Sequence, residues 1–403
     1  MKKLVYSLAF VLIIHLTFNI NNCEAQWVKV SNGINTTMNI YSLTTSNLCV
    51  FAGSDSGVYI SSNWGTSWTK TSLNNKVVYS LTTLGTDIYA GTGSSGVYYS
   101  TNNGTNWTQT SLNNQTVYSL TVNGNNIIAG VSGTGVYIST NNGINWAISS
   151  LGSHTILSLA ATGTNIYAGA SLTGIYRSTN NGANWTQTTL NNLTIKSLAI
   201  SGSYIFAGAY SILNPTGIYR STDGGSWTSI GLSGLSVLSL VVGGNSIIAG
   251  TDSGVYTSSN NGANWFRKNQ GFISVPHIEA FVILENSIFA GTQGQSVWKR
   301  DLPETIGIKN ISTEIPSEYS LFQNYPNPFN PSTNIRYDLP KNGFVNLVVF
   351  NTLGRELETV VNEKQTAGTY EATWDASQYP NGVYFYRLTT DGFSETKKMI
   401  LIK

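Results

Sequence analysis

The stretch STNNGANW, from Ser178 to Trp185, recurs in near-copies along most of the chain. The copies begin at Ser61, Ser100, Ser139, Ser178, Ser221 and Ser258, and the copy at Ser221 is one residue shorter than the others. They end at Trp68, Trp107, Trp146, Trp185, Trp227 and Trp265, at intervals of 39, 39, 39, 42 and 38 residues. A repeat of this length is typical of a unit built from four short strands. The sequence therefore predicts a series of similar all-β units.

The segment at the start of the repeated region can supply the strand that is missing at its end. Segments such as VYSLT, IYAG and GVYIS precede each motif, and seven copies of the first segment can be counted, the last around Glu279. The seventh unit ends without a motif or a final strand, whereas Trp27 to Val30 resembles a final strand with no unit before it. Pairing these two ends would close a ring and remove its exposed edges. We predict a seven-bladed β-propeller over residues 26–301, closed by the N-terminal strand.

The first 25 residues have the pattern of a secretory signal peptide. Lys2 and Lys3 precede an apolar run, and a polar stretch then ends in Cys23-Glu24-Ala25. Lipid attachment at Cys23 is an alternative to cleavage after Ala25. No later apolar run is long enough for a membrane span, so the mature chain is predicted to lack a transmembrane segment. Cys49 would then be the remaining cysteine, and it is expected to be a buried small hydrophobic residue.

Composition excludes some classes of function. Charged residues make up 10% of the 403 residues and the net charge is +2, which is too weak a field to attract nucleic acid. Aromatic residues make up 11%, which is typical of an extracellular all-β protein rather than a disordered one. No cofactor or metal site is expected, because the mature chain has two histidines, His154 and His277, and no cluster of metal-ligating residues.

The motif itself is predicted to be structural. Its third position is Asn63, Asn102, Asn141, Asn180, Asp223 or Asn260. Such a side chain can accept hydrogen bonds from the backbone of its own turn, and the glycine that follows tolerates positive φ. The closing tryptophan is expected to pack between blades. This pattern resembles the Asp-box, or BNR, repeat, Ser-x-Asp-x-Gly-x-x-Trp, with Asn in place of Asp in most copies. The resemblance implies a propeller but no particular activity, because sialidases, xyloglucan-degrading hydrolases, photosystem assembly factors and sorting receptors share such repeats.

If strands alternate in direction, a ligand should bind at the end of the propeller opposite the motifs. The links between blades and the turns between second and third strands meet there. Blade five has an insertion at Tyr210 to Thr216, and such loops are candidates for binding. The candidate ligand-binding residues at this end are Asp55, Asn74, Asn113, His154, Asn191, Tyr210, Asn214, Asp252 and His277. Ordinary solvent-facing turns are the alternative interpretation of the same residues.

Two functions fit this face. A non-enzymatic protein that binds a glycan or a surface protein is favoured, and a glycoside hydrolase of the sialidase-like or xyloglucanase-like type is the alternative. A hydrolase usually needs two carboxylates about 5 to 10 Å apart, and the propeller has few. A sialidase also needs an arginine cluster, but Arg177 and Arg220 lie beside the motifs, at the other end. The sequence therefore predicts no catalytic residue.

The composition changes after the propeller. Residues 302–318 are predicted to be a linker, and residues 319–403 a small Ig-like β-sandwich. This last part contains Tyr325-Pro326-Asn327-Pro328-Phe329, NIRYDLP, NTLGR, NGVYFYRL and a terminal KKMILIK.

Together these motifs closely resemble the type A C-terminal sorting domain of type IX secretion cargo in Bacteroidetes and related bacteria. The resemblance implies export through the periplasm to the outer-membrane surface or the extracellular space, with the type IX secretion machinery as partner. Recognition is expected to concentrate at Lys397, Lys398 and the final strand. A carbohydrate-associated sandwich is the alternative.

Overall fold

The computed structural model describes residues 26–211, 216–243, 246–301, 308–312, 316–365, 367–376 and 379–403. These residues form β-strands and turns, and none of them is in a helix. The described part of the chain accordingly has no helix that could cross a membrane. The predicted signal peptide, residues 1–25, lies outside it.

Seven four-stranded antiparallel sheets, which we call blades one to seven, occupy the repeated region of the described chain. Their first strands are β2 (Ile40–Ser46), β6 (Val78–Leu84), β10 (Val117–Asn123), β14 (Ile156–Thr162), β18 (Thr194–Ser201), β22 (Val237–Gly243) and β26 (Ile278–Leu284). Their second strands are β3 (Cys49–Ser54), β7 (Asp87–Thr92), β11 (Asn126–Val131), β15 (Asn165–Ala170), β19 (Tyr204–Tyr210), β23 (Ser246–Thr251) and β27 (Ser287–Thr292). Their third strands are β4 (Gly57–Ser61), β8 (Gly96–Ser100), β12 (Gly135–Ser139), β16 (Gly174–Ser178), β20 (Ile218–Ser221), β24 (Gly254–Ser258) and β28 (Ser296–Asp301). The fourth strands of blades one to six are β5 (Thr69–Asn74), β9 (Thr108–Gln109), β13 (Ala147–Ile148), β17 (Thr186–Gln187), β21 (Thr228–Gly231) and β25 (Phe266–Arg267).

The N-terminal strand completes blade seven, as predicted. Strand β1 (Val28–Lys29) pairs antiparallel with β28, so that Val28 lies opposite Lys299 and Lys29 opposite Trp298. The backbone N–H of Val30 extends this pairing by donating to the carbonyl of Val297, at 2.9 Å. Blade seven therefore joins the two ends of the repeated region.

Close contacts between successive blades form a closed cycle. A Cβ atom added to Gly53 would lie 2.8 Å from Cγ1 of Val78 and 3.0 Å from its carbonyl oxygen, in the next blade. The equivalent glycine of blade seven, Gly291, stands in the same relation to Ile40 of blade one, at 2.6 Å from Cγ2. A larger side chain at these positions would push the second strand of one blade away from the first strand of the next. The glycine of the repeated AG dipeptide thus sets the spacing of the propeller.

A tryptophan packs against each of the seven junctions between blades. Trp107, for example, contacts a core that contains Phe51 of blade one and Ile88 of blade two. The other motif tryptophans occupy the corresponding junctions, and Trp27 occupies the junction between blades six and seven. Trp27 and Trp68 are 1% and 4% exposed, whereas the other five are half-buried. The predicted packing of these side chains between blades is confirmed.

The C-terminal region forms two four-stranded antiparallel sheets around one core. In strand order, one sheet consists of β29 (Ile308–Ser312), β34 (Gly368–Asp375), β31 (Ser332–Leu339) and β30 (Ser320–Leu321). The other consists of β33 (Glu356–Gln365), β32 (Gly343–Phe350), β35 (Gly382–Thr390) and β36 (Phe393–Leu401). The immunoglobulin-like topology stays a prediction.

The segment predicted as a linker, residues 302–318, is not linker throughout. Strand β29 lies within it and pairs with β34, with Ile308 opposite Ala372. Its five residues, IKNIS, do not alternate between apolar and polar side chains, so the strand does not stand out in the sequence. The sandwich therefore begins before residue 319.

Candidate functional site

The motif turns are closed networks of hydrogen bonds. In the copy at Ser178, the serine hydroxyl donates to Oδ1 of Asn180 at 3.0 Å and accepts from the backbone N–H of Gly182 at 2.8 Å. The same Oδ1 accepts from the backbone N–H of Asn184 at 2.9 Å. The other four full copies repeat these bonds. In the Asn side chain, the backbone N–H groups of the turn bond only to Oδ1, which is an acceptor in both Asn and Asp. Asn can therefore replace Asp without loss of the turn.

Asp223 makes the equivalent turn with a charged side chain. Its Oδ1 accepts from the backbone N–H groups of Gly225 and Ser226, both at 2.8 Å, and from the Ser221 hydroxyl at 3.0 Å. The hydrogen bonds from Ser226 and Gly225, followed by that from Ser221, hold the pKa of the Asp223 carboxyl well below its usual range. The carboxylate therefore has a structural role.

We expect Asp223→Asn to change the pH dependence of stability. The lowered pKa stabilises the folded state above the unfolded-state pKa, about 3.9, and this contribution is lost as the pH falls below that value. Wild type should therefore lose its stability advantage over the variant between about pH 5.5 and about pH 3. Urea unfolding at both pH values measures this difference. Asn180→Asp is the matched control and should show the opposite sign, whereas a pH-independent difference for both variants would contradict the assignment.

Different turns lie at the two ends of the propeller. At one end, which we call the motif face, the first-to-second-strand turns lie beside the motif turns; Nδ2 of Asn47 donates to Oδ1 of Asn103 at 3.4 Å. At the other end, the link face, the links between blades lie beside the second-to-third-strand turns. There the Thr116 hydroxyl accepts from the N–H of Ser94, at 3.1 Å. Arg177 and Arg220 bond to Asn165 and Asn261 and so belong to the motif face.

The predicted asparagines lie at the rim of the link face. Asn74, Asn113 and Asn191 are exposed and occupy the end of a fourth strand or the turn after it. The residue that follows each has a left-handed φ of 58°, 53° or 57°, which Asn tolerates better than most residues. These pairs therefore form tight turns in separate blades, and the structure does not bring them together around one point.

The predicted histidines differ in exposure. His154 is half-buried, and its Nε2 lies 2.8 Å from the hydroxyl of Tyr176, whose ring packs edge-on against the imidazole. His277 is exposed at the entry to β26. Tyr210 is half-buried at the end of β19, whereas Asn214 lies outside the described residues.

The two predicted aspartates have local partners. Oδ2 of Asp252 accepts from the N–H of Ser236 at 3.2 Å, within the same blade. Oδ2 of Asp55 accepts from the backbone and side-chain N–H groups of Asn39, at 3.4 and 3.3 Å. Both carboxylates thus help to hold the link before their own blade. Asp55 also lies close enough to raise the pKa of Tyr41.

The first strand of every blade has a β-bulge at the same place. In blade one Ile40 lies opposite Ser54 and Ser42 opposite Gly53, so that Tyr41 is the extra residue. A bulge redirects a side chain out of the regular alternation of a strand. The seven bulge residues are Tyr41, Tyr79, Tyr118, Leu157, Lys196, Leu238 and Glu279. Their places at the link end of the first strands bring them together around the propeller axis.

Three of these bulge residues form what we call the tyrosine row. The ring centroids of Tyr41 and Tyr79 are 5.3 Å apart, those of Tyr79 and Tyr118 are 5.0 Å apart, and the rings are tilted by 56° and 47°. Burial, followed by Asp55, Tyr79 and Glu279, raises the pKa of Tyr41 above its ordinary value, and burial followed by Tyr118 raises that of Tyr79. The hydroxyls of these two residues are therefore protonated at neutral pH and can donate hydrogen bonds.

Sequence reasoning missed the tyrosine row as a candidate site. The tyrosines stand in the YSL segments, which were interpreted only as first strands. A bulge leaves no mark in the alternation of so short a segment. The signal that was available is the change of residue type at one repeat position, from Tyr in three blades to Leu, Lys, Leu and Glu in the others.

The predicted sorting residues lie on strand β36. Nζ of Lys397 forms an ion pair with Glu395 at 2.8 Å, and the side chain of Lys398 is exposed. The carbonyl of Lys398 accepts from Nε2 of Gln323 at 2.7 Å, and the N–H of Ile400 donates to Oδ1 of Asn327 at 3.0 Å. The Tyr325–Phe329 segment thus lies along the final strand. A recognition role for the lysines stays a prediction.

Metal chemistry has little support in the described residues. No group of three or more His, Cys, Asp or Glu side chains there is arranged to hold a metal ion.

Cys49, which was expected to be buried, is half-exposed at the start of β3.

Two known domain families match parts of the chain. Residues 323–403 match the secretion system C-terminal sorting domain, and residues 153–279 match the DUF6242 beta propeller domain. No curated protein sequence matches the chain.

Solved structures confirm the propeller fold. YCF48 from Cyanidioschyzon merolae is 15% identical, with a TM-score of 0.56 over 70% of this chain and 99% of that one. A second YCF48 structure is bound to a D1 peptide. PorZ, a surface component of the type IX secretion system of Porphyromonas gingivalis, is 13% identical, with a TM-score of 0.54 over 93% of this chain and 61% of that one. A GH74 enzyme from Niastella koreensis is 16% identical, with a TM-score of 0.54 over 78% of this chain and 59% of that one.

Proposed function

We propose that this chain is a non-enzymatic protein whose propeller binds a glycan or a protein on its link face. Its type IX secretion sorting domain directs export through the periplasm to the cell surface or the extracellular space. The tyrosine row is the observation that carries this proposal. Partly exposed aromatic rings at a common axis offer both apolar area and hydroxyl groups to a ligand. The motif face offers turns whose polar groups already bond to one another.

The low charge of the propeller also favours a binding partner without strong charge. Net charge far from zero would steer charged ligands over long distances, and this chain has a net charge of only +2. Recognition by amide hydrogen bonds and aromatic packing fits such a surface. YCF48 bound to a D1 peptide is an example of a similar propeller with a peptide ligand.

The proposal is tested by locating the ligand on the propeller. The mature chain is screened against a glycan array and against envelope extracts, and the ligand identified is then mapped by hydrogen–deuterium exchange. We expect protection of link-face segments, such as those around Asn74 and Asn113, with the motif turns unchanged. Protection confined to the motif turns, or no ligand in either screen, would contradict the proposal.

A glycoside hydrolase is the second candidate, and one observation favours it. Asp55 and Glu279 both lie close enough to Tyr41 to raise its pKa, so two carboxylates flank one aromatic residue on the link face. If these groups are catalytic, wild type should release reducing ends from a polysaccharide, and Asp55→Asn or Glu279→Gln should abolish the release. If wild type releases none, the non-enzymatic proposal stands.

A further inference from the structure

We infer that the tyrosine row is the anchoring site for a neutral oligosaccharide, an inference that rests on the proposed function and specifies its ligand. The argument begins with what the fold requires at these positions. The residue before each bulge is Val or Ile and is fully buried, as Ile40 and Val78 are. The residue after each bulge is Ser in six blades and Ala280 in the seventh.

Both neighbours of the bulge residue are fixed by packing between blades. Ile40 and Val78 contact the glycine of the preceding blade, and Oγ of Ser42 accepts from the backbone N–H of Leu81 in the next blade at 2.8 Å. The bulge residue itself is under no such constraint, since the same position holds Leu157, Lys196 or Glu279 elsewhere in the ring. The three adjacent tyrosines, each partly exposed, are therefore not required by the packing between blades.

The geometry of the row suits a chain of sugar rings. The centroid distances of 5.3 and 5.0 Å are similar to the length of one hexose unit, and the tilts of 56° and 47° mean that the three rings do not form one flat surface. Sugar rings present apolar C–H groups to an aromatic face and hydroxyls at their edges. Protonated phenol hydroxyls and the amide of Asn39, which lies beside Tyr41, can bond to those hydroxyls.

The carboxylates at the Tyr41 end of the row disfavour an anionic ligand there, and Lys76, on the link before Tyr79, already donates to Oγ of Ser95 at 3.2 Å. Asp55 and Glu279 lie beside Tyr41 at one end of the row. Among the seven bulge residues Lys196 is the only cation, and it belongs to blade five, two blades beyond Tyr118. A sulfated or uronic acid chain on the row would place its negative charge next to these carboxylates. The row therefore fits a neutral oligosaccharide.

The test uses the mature chain, including its C-terminal domain, in native gels that contain one polysaccharide each. Xyloglucan, laminarin, galactomannan and soluble starch are the neutral probes, and pectin and dextran sulfate are the anionic probes. We expect at least one neutral probe, and neither anionic probe, to retard wild type. An oligosaccharide from the retarding polymer is then titrated by calorimetry.

Substitutions in the row separate stacking from folding. Tyr79→Ala, at the centre of the row, should weaken binding about tenfold, and Tyr79→Phe, which keeps the ring, by no more than about threefold. Leu157→Ala is the matched control at the next bulge and should bind as wild type does. Leu157→Tyr extends the row and should bind more tightly, so it tests the inference even if Tyr79→Ala fails to fold.

Several results would overturn the inference. These are equal binding by wild type, Tyr79→Ala and Leu157→Tyr, retardation by the anionic probes alone, and no retardation by any neutral probe. A protein ligand that protects the link face, together with no binding of neutral glycans, would overturn this inference but leave the proposed function standing. The absence of any ligand on the link face would overturn both.

Discussion

Replacing Trp27 with alanine should destabilise the propeller by about 3 to 5 kcal/mol, the usual cost of truncating a buried aromatic side chain. Trp27 is 1% exposed, its ring stacks on Phe272 at 5.2 Å, and its Nε1 donates to the carbonyl of Lys268 at 2.7 Å. It packs at the junction of blades six and seven, beside the two-residue strand that completes blade seven. The loss should therefore weaken the junction at which the N-terminal segment packs against blades six and seven. Urea unfolding followed by fluorescence measures the change.

The neighbouring residue provides the control. Val28 lies in the same strand but is 60% exposed, so Val28→Ala should change the unfolding free energy by no more than about 0.5 kcal/mol. Hydrogen exchange adds spatial information, because Trp27→Ala should speed exchange in β28 more than in the strands of blade three. Equal effects of the two substitutions would mean that ring closure contributes little to stability.

Much of the propeller could be predicted because its repeats carry the packing rules in their sequence. The tryptophan interval gave the length of a blade, and the unpartnered strand at Trp27 indicated how the ring closes. Strand β29 could not be predicted in the same way, because it has no repeat to mark it and its partner β34 lies about sixty residues later in the chain. Where no repeat marks the strands, pairing between distant segments leaves no local trace in a single sequence.

The site was harder to predict than the fold, because binding depends on side chains that depart from the repeat. The asparagines chosen from the sequence, such as Asn74 and Asn113, follow the repeat and form turns at the rim. The position that Tyr41 and Tyr79 occupy changes residue type around the ring, but only the register of the first two strands identifies them as bulge residues with neighbouring rings. Asn214, in the insertion of blade five, lies outside the described residues, and its role stays a prediction.

Removing the C-terminal domain should trap the propeller in the periplasm, because the sorting domain at residues 323–403 directs export. A deletion from residue 319 would leave β29 without its partner β34, so the deletion is best made from residue 302, directly after β28. The truncated chain keeps the pairing of β1 with β28 and should remain folded.

Cell fractionation and protease accessibility on intact cells measure delivery, and residues 302–403 fused to a periplasmic reporter provide the converse control. In the full chain, a combined Lys397→Ala and Lys398→Ala variant tests recognition separately from folding, because neither side chain is part of the buried core. Surface delivery of the truncated chain at the wild-type level would contradict the role of the domain.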